Sequence, residues 1–224
     1  MRLQNTLLIL LQKTGQVRKC VSGVAREDHT WPLVYNSHRS VELCGRTLKD
    51  FTRRVRDLDR ALFRVLFGLK WAPLTAVMRV FTVVGTAGAL WGFLAALAFL
   101  FTGLEPLHLL IPWVAVAASW TLAEGAKYLF DRARPFMWDS EIAPLTKTPS
   151  SSSFPSGHSA TAAAGALTLS VLYPPFAPAL VLAGTLVVLS RVYLGVHFPF
   201  DVLAGVIIGI ATAGVVLAGA SLVA

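Results

Sequence analysis

SRVYLGVHFPFDVLAGVIIGIATAGVVLAG, residues 190–219, places three ionisable side chains at the mouth of an apolar run of membrane-crossing length. Arg191, His197 and Asp201 fall within eleven residues, and residues 202–223 behind them carry no charge. About 20 apolar residues cross a hydrocarbon core as a helix. Ionisable groups at that depth are costly, so they point to function. Pro199 suits the first turn of a new helix. His197 and Asp201 are four apart, so across that helix start the carboxylate can accept a hydrogen bond from one imidazole nitrogen. Such a bond fixes the tautomer and leaves the other nitrogen as a nucleophile. Arg191 adds a ligand for phosphate.

The rest of the chain repeats this arrangement. Of 224 residues, 55% are hydrophobic and 14% charged, against about 25% charged in soluble domains. Apolar windows run over residues 80–102, 107–126, 158–173, 177–197 and 202–223. They predict an all-α polytopic transmembrane bundle of about five spans. The third window is the shortest and richest in Ala, which predicts a helix inside the bundle. Five buried helices of a soluble protein would need far more polar chain to cover them.

Two further polar clusters sit at the ends of these windows. Lys127 and Arg134 are seven apart, within about 20° of each other and roughly 10 Å apart along a helix. Pro135 predicts a helix end near Arg134. Together they would make an anion clamp, with Arg as a two-pronged fork and Lys as a point charge. Snorkelling would explain either residue alone, and Glu124 or Asp131 could pair with Lys127. Pro155-Ser156-Gly157-His158 closes a loop that contains four serines, Ser150–Ser153. Ser156 suits a helix cap, Gly157 lets the backbone approach a ligand, and the first N–H groups would face an anion. His158 would stand beside that anion, placed to deliver a proton. A helix start with Ser and Gly is commonplace, whereas an apolar helix has no structural need for His158. No spacing of His, Cys or carboxylates suggests a metal site.

Before residue 80 the character changes. Across residues 46–79, Arg53, Arg54, Arg56, Arg60 and Arg64 interleave with Val55, Leu58, Leu62, Phe63, Leu66 and Phe67. This pattern predicts an amphipathic helix whose basic face lies on an anionic membrane surface, or else a solvated basic helix. Residues 1–45 have no sustained period and are expected to form a poorly ordered basic tail ahead of a membrane-embedded domain, 46–224. Leu7–Leu11 is too short for a signal-peptide core. Cys20 and Cys44 suggest neither a metal site nor a compelling disulfide. Fifteen of the twenty Lys and Arg precede residue 80, and Lys127, Arg132, Arg134, Lys147 and Arg191 share their side of a five-span topology. The turns 102–106 and 173–176 carry none. The positive-inside rule then places the amino terminus and all three clusters in the cytoplasm.

In order, Lys127-x6-Arg134-Pro135, Pro155-Ser156-Gly157-His158 and Ser190-Arg191-x5-His197-x3-Asp201 resemble the three-part signature of the type 2 phosphatidic acid phosphatase superfamily. The resemblance covers about residues 50–220. The superfamily includes membrane lipid phosphatases, undecaprenyl diphosphate phosphatases, soluble acid phosphatases and vanadium haloperoxidases. It implies a phosphatase domain over residues 46–224 and a metal- and cofactor-free hydrolysis of a lipid phosphate or diphosphate in the bilayer, with no nucleic-acid partner. His197, oriented by Asp201, would form a phosphohistidine, and His158 would protonate the leaving group. Lys127, Arg134, Arg191, Ser156 and Gly157 would hold the phosphoryl oxygens. Many bacterial members carry a sixth span and face their site outward. No extra span is read here, so the expectation is a bacterial plasma-membrane protein with a cytoplasmic site. The alternatives are a vanadium-dependent haloperoxidase-like enzyme and a non-catalytic lipid-binding protein.

Overall fold

The computed structural model describes residues 37–102 and 106–222. Residues 1–36 of the expected tail, Cys20 among them, lie outside the described residues, as do residues 103–105 of one turn without Lys or Arg. The described chain is all helix and loop. Its helices are α1 (Ser37–Gly68), α2 (Ala72–Val84), α3 (Ala89–Thr102), α4 (Pro106–Ala126), α5 (Pro135–Trp138), α6 (Gly157–Leu172), α7 (Ala177–Tyr193) and α8 (Pro199–Ser221), with 3₁₀ turns at Thr86–Gly88 and Pro174–Phe176. A compact unit that contains every site residue begins at Asp59, inside α1.

Helix α6 is the axis of this unit and packs against α4, α7 and α8. Its sequence, GHSATAAAGALTLSVL, is built from small residues, and small residues let helix backbones approach where lipid supplies no hydrophobic drive. Gly205 and Gly209 of α8 make that approach possible. A Cβ on either would lie within 2.4 Å of a carbonyl oxygen of Ser156 or Ala160. On another face Trp91 of α3 fills the notch at Gly165, where a Cβ would stand 2.2 Å from the indole. Trp91 is fully buried among Val116, Ala162, Leu169 and Val187. The expectation of an interior third helix is therefore met.

Among the described residues three segments are long and apolar enough to cross a membrane: α4, Pro174–Tyr193 and α8. The window at 80–102 is not one helix. Helix α2 stops at Val84 and α3 starts at Ala89, with Ala87 and Gly88 at positive φ between them. A Cβ on Gly88 would meet Val116 at 2.3 Å, so this break lets the chain pass close to α4. The basic stretch 46–79 is likewise divided, since α1 ends at Gly68 and α2 begins at Ala72. From Asp59 onward α1 buries Asp59, Phe63 and Phe67, residues four apart that share one helix face. Phe63 stacks on Phe67 at 5.2 Å and meets Phe198 edge-on at 5.4 Å. This aromatic cluster supports the loop that carries His197.

Candidate active site

The loop between α7 and α8 is wound tightly around one carbonyl. The N–H groups of Val196 and His197 both donate to the Arg191 oxygen, each at 3.2 Å. Gly195 makes the turn at φ +79°, a region that glycine enters at little cost. His197 is held inside with 2% of its surface exposed. Its Nδ1 stands 2.7 Å from the Ser153 carbonyl. A carbonyl can only accept, so Nδ1 carries the proton, and in the neutral ring Nε2 keeps its lone pair. Burial, reinforced by the charges of Arg191, Arg134 and Lys127, holds this imidazole well below the usual histidine range.

Asp201 supports His197 less directly than its spacing predicts. Its Oδ2 is 3.7 Å from His197 Nδ1, beyond hydrogen-bonding distance. That oxygen instead accepts from Ser153 Oγ at 2.5 Å and from the Phe198 N–H at 2.9 Å. The other carboxylate oxygen accepts from Arg132 at 2.6 Å. The tautomer of His197 is therefore fixed by the backbone of Ser153, whose own side chain is fixed by Asp201.

Lys127 and Arg134 converge on the site, but not along one helix face. Helix α4 ends at Ala126, and Lys127 to Phe130 continue in i→i−3 turns. The serine loop draws the chain out of the helix there. Ser152 Oγ donates to the Phe130 carbonyl and accepts from Arg132 N–H, and Ser153 N–H donates to the Arg132 carbonyl. Arg134 is extended at φ −78°, ψ 161°, as its place before Pro135 requires. Both cations donate to Ser151 Oγ at 3.3 Å. Arg134 also donates to the carbonyls of Ser151, Ser152 and Val196, and its Nη1 faces His197 Nε2 at 3.3 Å. Its five N–H groups are thus all directed at protein atoms. Desolvation by burial pushes its pKa down, with Asp201 and Glu124 opposing.

The remaining residues close the site from above. Ser156 caps α6, accepting from Ser159 N–H at 3.4 Å and Ser159 Oγ at 2.9 Å. Its own N–H donates to the Asp201 carbonyl, which ties the starts of α6 and α8 together. A Cβ on Gly157 would meet Glu124 Oε1 at 2.8 Å, so a carboxylate lies against the first turn of α6. That carboxylate is paired with Lys127 at 2.5 Å. His158 Nε2 is 3.5 Å from Thr86 Oγ1, and the ring stands near Arg191 and His197. Arg191 donates through one Nη to Thr82, while its buried Nε has no hydrogen-bond partner among the described residues.

Sequence reasoning missed a second layer. Arg132 bridges Asp201 and Asp59, and the other oxygen of Asp59 accepts from Phe200 N–H at 2.9 Å. Arg132 also covers the Phe198 ring at 4.5 Å. The available signal was Asp59 itself. A carboxylate on the same helix face as Phe63 and Phe67 requires a buried partner. Ser151, Ser152 and Ser153 were equally silent because their roles depend on loop geometry, whereas the pairing of Glu124 with Lys127 was one that the spacing allowed.

The sequence profile of the PAP2 superfamily matches residues 108–221, more than half of the chain and all three clusters. The chain belongs to the PAP2 superfamily. Among its relatives, the undecaprenyl-diphosphatase of Sulfolobus acidocaldarius is 31% identical over 140 residues, 62% of this chain and 58% of that protein. The chain thus spans somewhat over half the length of that relative. Among solved structures, LpxE of Aquifex aeolicus superposes with a TM-score of 0.64 at 28% identity, covering 71% of this chain and 94% of that one. The transmembrane PAP2-type phosphatidylglycerolphosphate phosphatase of Bacillus subtilis gives 0.62 at 29% identity, covering 76% and 88%. A bacterial vanadium-dependent iodoperoxidase, 19% identical with a TM-score of 0.55 over 85% of this chain and 51% of its own, shares the fold alone. Apolar helices and these relatives make this PAP2 chain an integral membrane protein.

Proposed function

We propose that this protein is a membrane phosphatase that hydrolyses a lipid phosphate or diphosphate through a phosphohistidine, without a metal. The observation that carries this reading is the His197 tautomer. Its Nδ1 proton is held by the Ser153 carbonyl, so the Nε2 lone pair faces Arg134 in a site that also contains Arg191 and Lys127. In the first step Nε2 bonds to phosphorus and the bond from phosphorus to the leaving oxygen breaks, with His158 supplying that oxygen's proton. Water then attacks the phosphohistidine and releases inorganic phosphate, with His158 accepting the water's proton. Arg191, Lys127, Arg134 and the first turn of α6 at Ser156 and Gly157 balance the phosphoryl charge.

Substrate class follows from setting and relatives. The site residues stand at helix ends, a place where a headgroup could be bound while its chains stay in lipid. Undecaprenyl diphosphate and phosphatidylglycerol phosphate are the substrates named for two relatives, so both belong in a test panel. Hydrolysis of at least one such lipid by purified protein in EDTA, blocked by vanadate, is expected. A strict requirement for Mg²⁺ or Zn²⁺ would overturn the metal-free reading. Oxidation of bromide or iodide by added hydrogen peroxide on vanadate-loaded protein, with no lipid hydrolysis, would favour the haloperoxidase instead.

The basic residues before position 80 support a plasma-membrane domain, 46–224, with its site on the cytoplasmic side and the arginine-rich part of α1 at the lipid surface. Single cysteines at Ser151 and Pro175, without Cys20 and Cys44, would report this on intact cells. An impermeant thiol reagent is expected to label position 175 only. Labelling at 151 alone would place the site outside.

A further inference from the structure

We propose that Thr82 is a positioning residue for Arg191: it takes one prong of the guanidinium, so that the opposite edge, Nε with Nη2, is presented to two oxygens of one phosphoryl group. The purpose rests on the reading of this site as a phosphate site, whereas the contact between the two residues does not. Thr82 and Arg191 are both buried. Arg191 Nη1 donates to the Thr82 hydroxyl oxygen. Its Nε is buried with no hydrogen-bond partner among the described residues, and none of the ion pairs there involves it. An unpaired buried N–H on a cation is costly. This one stands near His158 and His197, where an arriving anion would satisfy it.

Two helix faces build the contact. On α2, Thr82 follows Met78 by four residues and precedes Gly85 by three; on α7, Arg191 follows Val187 by four. Residues at these spacings are neighbours on one helix face. The faces meet in antiparallel order. Gly85 stands so close to Val187 that a Cβ would lie 2.7 Å from it. Thr82 then meets Arg191, and Met78 packs with Tyr193 and Leu194 at the end of α7. Thr82 is also held through its backbone. Its carbonyl lies in the last turn of α2, where carbonyls lack helical partners, and accepts from Thr86 Oγ1 at 3.1 Å.

Arg134 shows the opposite use of the same side chain. Its donors go to the carbonyls of Ser151, Ser152 and Val196, so it shapes the loop. Arg191 spends one prong on Thr82 and keeps an edge in reserve, and such an edge matches two phosphoryl oxygens. A threonine suits position 82 because a neutral hydroxyl accepts the bond without cancelling the charge. A carboxylate there would compete with the phosphate.

The test uses full-length protein in detergent micelles. Thr82→Val keeps the shape and removes the acceptor, Thr82→Ser keeps the acceptor, and Arg191→Lys removes the fork. In ¹⁵N-arginine spectra, assigned with Arg191→Lys, the two Nη groups of Arg191 should be distinct in wild type and Thr82→Ser. They should be averaged by rotation in Thr82→Val. Vanadate, the probe for the phosphoryl site, should bind about 10–100-fold more weakly to Thr82→Val, the range for one hydrogen bond to a charged group. Thr82→Ser should stay near wild type. In the Arg191→Lys background, Thr82→Val should cost almost no further affinity, a result that general loosening of the helix pair would not give. Distinct Nη resonances in Thr82→Val, or an equal loss of vanadate affinity in both backgrounds, would overturn the proposal. If Thr82→Val does not fold, Thr82→Cys, of similar size but only a weak acceptor, carries the same two measurements. Failure of the wild type to bind vanadate would overturn the phosphate-site reading and with it the purpose assigned to Thr82. The arginine spectra would still decide whether Thr82 holds Arg191.

Discussion

The carboxylate of Glu124 lies 2.5 Å from the Lys127 ammonium, against the first turn of α6 at Gly157. A phosphoryl group held by Lys127 and that helix start must share or displace it. Glu124→Gln keeps the size of the side chain and removes the charge. The pair is partly exposed, so the gain is modest, about 2–5-fold tighter inhibition by vanadate, the range for such an ion pair. Unchanged or weaker inhibition would show that Glu124 orients Lys127 rather than competing for it.

Gly157 and Gly209 separate site from scaffold. A methyl at 157 meets the movable end of Glu124, whereas one at 209 meets the Ala160 carbonyl at 2.3 Å. Gly157→Ala should therefore melt near wild type but raise KM. Gly209→Ala should lose about 1–3 kcal/mol, the usual cost of overpacking. Thermal melts and kinetics on both variants check this, and equal destabilisation would contradict it.

The two buried arginines should fail differently as lysines. Arg134 directs all five N–H groups at protein atoms, three of them at loop carbonyls. Arg134→Lys should lower stability by about 2–4 kcal/mol, one or two charged hydrogen bonds, as well as turnover. Among the described residues, Arg191 donates to Thr82 and its buried Nε has no hydrogen-bond partner. Arg191→Lys should cost turnover with a smaller loss of melting temperature. Near-wild-type turnover in both would show that charge alone matters.

Much of this was legible in the sequence, and the failures share a cause. The windows that became α4, α7 and α8 were read correctly because hydropathy alone defines them. Helix α6 was read as interior from its alanines. The break at Gly85–Gly88 was not seen, because it is demanded by Val116 from another helix rather than by local sequence. The Lys127–Arg134 spacing suggested one helix face because nothing local announces that Ser152 captures the Phe130 carbonyl from 22 residues away. Arg132 and Asp59, 73 residues apart, had the same problem. Buried ion pairs are made by tertiary contact and leave no period to read.

Acid should weaken the fold through His197. Its folded-state pKa lies well below the ordinary value of 6.5, so the unfolded chain takes up that proton first as pH falls. Stability from this group is complete above about pH 6.5 and is lost below it, at up to about 1.4 kcal/mol per pH unit. His197→Asn should lose less stability than wild type between pH 7 and pH 5 in chemical denaturation. An equal loss would show that the ring is not kept neutral.

The most direct measurement is chemical trapping of the covalent intermediate. Purified protein is mixed with ³²P-labelled lipid phosphate, quenched in alkali and digested. Alkali-stable, acid-labile label is expected on the peptide containing His197, and none in His197→Ala, which should still insert and melt cooperatively. Label on another residue, or full turnover by His197→Ala, would contradict His197 as the nucleophile.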